Sequence, residues 1–286
     1  MMKDIDLVQI FSSEPCLLPI IMKAKRRNIP VVVTPMIGSR AMSNITLKCV
    51  LKLSTIPGLF SPHKERYRLI QQADYLLALS VFEMKRLIDV YKFERGKIAV
   101  VENGLDSKYV VSCIDSQNVN DKDNYILTVG RIEPNKNQYN LIKAANNLGM
   151  ELYIVGEPGI RSENYMEKCK SISNDNIHYL GAIRDVDRLK YLYTKAIVTV
   201  IPSYSEMVPL TVFESLSVKT PVVLTKYSSL KGTRLNGLFF SGTTSHAIGS
   251  TIKKALSFDR SLITSDGIFD WRQIAEKYLN VYKKFC

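Results

Sequence analysis

The sequence is poor in the residues that build covalently or metal-held folds. Its 286 residues include five cysteines and three histidines. Cys16, Cys49, Cys113, Cys169 and Cys286 are scattered, with no C-x-x-C pair. An odd, irregular set argues against a disulfide framework and fits free thiols in a reducing compartment. His63, His178 and His246 lie far apart, so no zinc-type ligand spacing arises and no metal cofactor is expected. No apolar run approaches the roughly 18 residues of a membrane-spanning helix. The opening Met-Met-Lys-Asp-Ile-Asp lacks the charged-then-apolar layout of a signal peptide, which makes the cytoplasm the expected compartment. No internal repeat or low-complexity tract is found, which excludes solenoids and disordered arrays.

What is present is the make-up of a globular chain, 46% hydrophobic and 23% charged, long enough to bury a core without staples. Net charge is +12 and unevenly spread. Residues 1–106 carry 16 basic and 10 acidic side chains; residues 107–286 carry 23 and 17, the same excess over a longer stretch. Lys23, Lys25, Arg26 and Arg27 form the tightest basic cluster. It is either a solubilising helix face or a surface for anionic partners such as phospholipid, lipid diphosphate or nucleotide. Nucleic acid is not expected, because no binding motif or aromatic–basic repeat accompanies the charge.

Short apolar, β-branched runs alternate with helix-period segments. The strand candidates are 6–11, 30–34, 75–79, 98–101, 125–129, 151–155, 177–180, 196–201, 221–224 and 237–240. Amphipathic segments such as 17–27, 81–91, 137–147, 185–194 and 210–218 lie between them. Continuous apolar strands alternating with helices predict parallel sheets covered on both faces. The polar stretch 112–124 reads as a linker between two α/β domains, 1–106 and 107–286. Such folds gather ligands at the carboxyl ends of their strands and in the cleft between domains.

Two segments carry candidate chemistry. In Ala196–Val223, a strand ends in Pro202-Ser203, a short loop follows, and a helix opens near Pro209. A helix N-terminus offers backbone N–H groups and a positive dipole end suited to phosphate. Glu206 and Glu214 flank that point, and carboxylates can accept hydrogen bonds from sugar hydroxyls; by spacing alone they read as a capping residue and a solvent-facing glutamate. In Tyr125–Asn137, a buried strand runs into Gly130-Arg131, with Lys136 five residues on. Two cations at a strand's carboxyl end can hold a diphosphate, or can simply be solvated.

Together, in order and about 75 residues apart, these segments resemble the donor site of glycosyltransferase family 4. Its patterns are close to G-R-x-x-x-x-K-G and P-S-x-x-E-G-F-P-L-x-x-x-E-A-x-A-x-G-x-P-V-V. Weaker matches add order: Glu102–Asp106 resembles a closing Asn-Gly-Val-Asp turn, Tyr179–Ile183 a Phe-Leu-Gly segment, and Asn236-Gly237-Leu238 a turn before the last strand.

The resemblance implies a GT-B fold: two Rossmann-like domains, with a terminal helix of about 271–286 crossing back onto the first. It implies a retaining transfer of sugar from a nucleoside diphosphate donor, UDP- or GDP-linked, to a glycan or lipid-linked acceptor, without a metal. Arg131 and Lys136 would clamp the leaving diphosphate, Glu206 would contact the donor sugar and Glu214 the ribose. Gly130 and the backbone of Val208, Pro209, Leu210 and Thr211 would approach sugar and diphosphate, and Ile183 would wall the base pocket. The departures are Asn137 for the last Gly of the first pattern, Met207 and Val208 for Gly-Phe, and Lys219 where Gly or a small residue is common. Met36 stands where many relatives place a sugar-contacting His. The opening strands of the first domain have no counterpart, so that domain reads as truncated. Surface polysaccharide or glycolipid synthesis is the expected setting, with docking on an anionic membrane or a partner subunit left open. A nucleotide-sugar-binding subunit that needs a partner for catalysis is the alternative.

Overall fold

The computed structural model describes residues 5–38, 43–53, 61–110, 123–231, 233, 235–264 and 267–285. Cys113, Cys286 and nearly all of the expected linker lie outside the described residues. The chain divides into two compact units, Met1–Asn103 with Arg272–Cys286, and Gly104–Trp271.

The first unit is built on four parallel strands, β1 (Val8–Ile10), β2 (Val31–Val33), β3 (Tyr75–Ala78) and β4 (Ile98–Val100), paired in sequence order. The connecting helices are α1 (Leu18–Lys25), α2 (Asn44–Leu53), α3 (Pro62–Gln71) and α4 (Val81–Asp89). β2 and β3 are buried along their whole length, which is why both read as unbroken apolar runs. Val31, Val33, Leu76 and Ala78 meet Ile21, Leu69 and Leu87 in one core. Ser80 caps α4 by accepting from the Glu83 amide at 3.1 Å, with Glu83 at the capping-box position.

The second unit contains β5 (Tyr125–Val129), α5 (Gln138–Leu148), β6 (Glu151–Val155), α6 (Glu163–Lys170), β7 (Ile177–Gly181), α7 (Val186–Lys195) and β8 (Val198–Ile201). It continues with α8 (Leu210–Ser217), β9 (Val222–Thr225), β10 (Leu238–Ser241) and α9 (Ser245–Leu256). All six strands are parallel, in the order β10-β9-β8-β5-β6-β7. The chain starts mid-sheet at β5, winds outward to β7, then returns to β8 on the other side of β5. That reversal makes the carboxyl ends of β5 and β8 a topological switch point, where open α/β sheets bind ligands. Ile126, Leu152, Ile154, Val198 and Val200 pack with Leu141, Ile142, Ile248 and Ile252 in its core.

All ten expected strands form, with ends within two residues of the sequence reading; the first contracts from 6–11 to Val8–Ile10. The last helix, α10 (Trp271–Tyr282), buries Ile274 and Val281, two turns apart on one face. Within the first unit its Lys277 pairs with Glu102 at 2.9 Å, and Tyr282 Oη donates to Gln9 Oε1 at 3.3 Å.

Candidate functional site

The site forms in the second unit, at the carboxyl ends of β5 and β8. Beyond β5 the chain enters Gly130, whose amide donates to Val155 O at 2.9 Å. The loop after β6 lies against it: a Cβ on Gly156 would sit 2.0 Å from Gly130 O. Only glycine permits that approach. Gly156 N donates in turn to Gly181 O at 2.8 Å, so the ends of β5, β6 and β7 are tied together. Ile183, half-buried, follows β7, two strands from β5.

Arg131 is fixed at its backbone and loose at its head. Its carbonyl accepts from buried Gln138 Nε2 at 2.8 Å. Its guanidinium is 67% exposed and pairs with Glu133 at 3.3 Å. A pair so exposed contributes little and leaves the cation available to an anion.

The loop then tightens into a 3-10 turn, Pro134–Lys136, and leaves through Asn137 in the left-handed region at φ 58°. Lys136 Nζ lies 2.6 Å from Glu206 Oε1, with the two side chains 24% and 12% exposed. The same oxygen accepts from Ser203 Oγ at 2.6 Å. Ser203 is fully buried, and its carbonyl accepts from Thr225 Oγ1 on β9 at 2.6 Å. Tyr204 N donates to Asn135 O at 2.7 Å, and Asn135 Nδ2 donates to Ser205 O at 3.2 Å. The two motifs, 70 residues apart at Lys136 and Glu206, are thus one structure.

Glu206 is not the N-cap residue of α8. Pro209 occupies that position and makes no side-chain cap hydrogen bond. Val208 is buried, Pro209 and Thr211 are half-buried and Leu210 is 36% exposed around this N-terminus. Glu214 is not solvent-facing either. It accepts from Tyr193 Oη at 2.7 Å, and Tyr193 is fully buried on α7. Burial holds the Glu214 carboxyl above the usual range, and the Tyr193 hydrogen bond offsets part of that rise. After α8, Lys219 takes φ 57°, the conformation for which glycine is the natural residue.

In the first unit, Met36 follows β2 with φ 55° and is 36% exposed. Buried Glu83 holds this turn by accepting from Ile37 N and Leu79 N, both at 2.7 Å. Arg86, also buried, donates from Nη1 to Gly38 O at 2.7 Å. In the basic cluster, Lys25 pairs with Asp74 at 2.6 Å. Cys16 and Cys49 are exposed free thiols; Cys169 is buried, and burial pushes its thiol up to about 11.

Lys136, Ser203 and Glu206 are therefore joined by hydrogen bonds at the switch point, with Arg131 on the same β5 loop as Lys136 and Glu206 on the loop that leads into α8. Sequence reasoning missed the parts played by Ser203, Asn135, Asn137 and Tyr193. The signal for Asn137 was present, since asparagine is the residue that best replaces glycine at positive φ. Tyr193 has no sequence signal. Among the described residues no group of three or more His, Cys, Asp or Glu is arranged to hold a metal ion.

Known proteins share this organisation. The family model "Glycosyl transferases group 1" matches residues 113–261, just over half of the chain. The O-antigen chain mannosyltransferase B of Escherichia coli is 27% identical over 241 residues, covering 77% of this chain. The chain spans 63% of that protein's length, and about half of several other curated relatives. Among solved structures, sucrose-phosphate synthase from Thermosynechococcus elongatus superposes with a TM-score of 0.71 at 18% identity, over 98% of this chain and 73% of its own. Anabaena HepE in complex with UDP superposes with a TM-score of 0.68 at 15% identity, over 97% and 79%. The chain belongs to the group 1 glycosyl transferases and has their GT-B fold, two Rossmann-like units with parallel sheets.

Proposed function

We propose that the protein transfers a sugar, with retention of anomeric configuration, from UDP- or GDP-sugar to a glycan or lipid-linked acceptor. One observation carries the reading: Lys136, Ser203 and Glu206 converge at the switch point, at the loop that leads into the N-terminus of α8. In this reading Arg131 and Lys136 take the diphosphate, and their cations supply the leaving-group stabilisation that other transferases obtain from a metal. The first-turn amides of α8 add to that field. Glu206 accepts from the donor sugar, Glu214 from the ribose, and Ile183 borders the base. The first unit, with Met36 at its strand ends, serves the acceptor side.

Surface polysaccharide or glycolipid synthesis fits the likeness to the O-antigen mannosyltransferase. A cytoplasmic protein docking on the inner face of an anionic membrane fits the charge of the first unit. There Lys48, Lys64, Arg68 and Lys92 surround an open groove of about 400 Å³ also lined by Leu51 and Val90. Cations around an apolar trough match the headgroups and chains of anionic phospholipid.

The deciding experiment is a thermal-shift panel of UDP-, GDP- and ADP-sugars, followed by a transfer assay with anomeric configuration read by NMR. Stabilisation by one nucleotide class and EDTA-resistant turnover with retention are expected. Donor binding without turnover points to the binding-subunit alternative; no response to any donor overturns the reading. Flotation on phosphatidylglycerol vesicles, set against phosphatidylcholine, tests the membrane placement.

A further inference from the structure

We propose that Asn137 is a positioning residue of the donor site, whose side-chain amide fixes where Lys136 stands. The proposal rests on the donor-site reading above. It starts from a position where the family pattern has glycine. The backbone there is left-handed, φ 58° and ψ 30°, which glycine and asparagine adopt most readily. Glycine would satisfy the turn and nothing else. Asparagine adds a side chain that is 99% buried and paired on both sides.

Asn137 Nδ2 donates to Pro202 O at 3.0 Å and to Thr243 O at 2.9 Å, using both of its hydrogens. Oδ1 accepts from Asn140 Nδ2 at 2.8 Å. A buried amide left unpaired would be costly, so these bonds hold the side chain in one place. They join three loops, those following β5, β8 and β10. Pro202 immediately precedes Ser203, which orients the Glu206 carboxylate. One side chain therefore fixes the residue after Lys136 to the residue before Ser203.

The consequence concerns Lys136. A lysine has a long flexible stem and loses much rotamer entropy when its ammonium is held. Its aim depends on how firmly its backbone is anchored, and misplacement by about 1 Å can cost a catalytic group much of its effect. Here the anchor is an amide clamp that the glycine of the family pattern cannot supply.

The test is Asn137→Gly, which keeps the left-handed turn and removes only the clamp. Two measurements follow. The first is the rate at which acetic anhydride modifies Lys136, read by mass spectrometry against other lysines. It is expected to rise about fivefold or more in the variant, with reference lysines unchanged. The second is UDP and GDP affinity in a cycle with Lys136→Ala. Asn137→Gly is expected to weaken binding in the parent and to have little effect once Lys136 is gone. An unchanged Lys136 modification rate, or equal loss of affinity in both backgrounds, overturns the proposal. If the parent binds no nucleoside diphosphate, the donor-site reading fails, and the modification rate alone decides whether Asn137 positions Lys136.

Discussion

Glu206 Oε1 is shared between Lys136 Nζ and Ser203 Oγ, each at 2.6 Å. The carboxylate that would hold the donor sugar thus already holds the cation that would hold the diphosphate. The two side chains are coupled, which residue spacing does not reveal.

One expectation follows for Glu206→Gln. On the proposed reading a diphosphate would compete with Glu206 for Lys136, and charge-assisted hydrogen bonds of this kind are worth about 1.5–3 kcal/mol. The variant should bind free nucleoside diphosphate several-fold more tightly while transferring sugar poorly. Lys136→Ala should bind it about tenfold or more weakly. Isothermal titration with UDP and GDP checks both, and weaker binding by Glu206→Gln would contradict the competition.

Glu214 gives a pH dependence with a defined sign. Its folded-state pKa is raised, chiefly by burial, so the folded protein holds the proton more strongly than the unfolded chain. The stability linked to Glu214 is present below its unfolded value and is lost as pH rises through its folded value. Ribose hydroxyls donate to a carboxylate, so nucleoside affinity should fall as pH drops and Glu214 protonates. Tyr193→Phe removes a donor to the charged form and should move that midpoint upward. Titrations from pH 4 to 8 would show it; a Tyr193→Phe midpoint that stays put or moves down refutes the assignment.

Lys219 predicts a stabilising substitution. Its φ of 57° strains any residue with a Cβ, by about 1 kcal/mol. Lys219→Gly should raise Tm by a few degrees, somewhat offset by the entropy glycine adds to the unfolded chain. Calorimetry checks this, and a lower Tm would mean that the lysine side chain contributes more than the strain costs.

Gly156→Ala should do the opposite. The added methyl would meet Gly130 O at 2.0 Å, in a conformation with φ 142°. The loops after β5 and β6 must part, at a cost above about 2 kcal/mol. Chemical denaturation should show that loss; a variant of parental stability would contradict so close an approach.

The strands were legible because buried parallel strands such as Val31–Val33 and Val198–Ile201 are continuous apolar runs. Their order was not. That β8 returns to pair with β5 rather than extending from β7 depends on tertiary packing, and this pairing brings Lys136 to Glu206. Asn137 belonged to a recognisable motif, yet its hydrogen bond to Pro202 exists only once β5 and β8 are neighbours. Tyr193 was invisible for the same reason: nothing in its helix marks it as the partner of a glutamate on the next one. Lys219 was legible as a departure from glycine, but its positive φ required the backbone.

Cys169 sits in the core of the second unit, whereas the exposed thiols Cys16 and Cys49 belong to the first. A thiol that is both enclosed and pushed up to about 11 scarcely reacts with alkylating reagents while its helix is packed. Pulsed alkylation read peptide by peptide would then use Cys169 as a native clock, reporting how often the second unit opens without any introduced label.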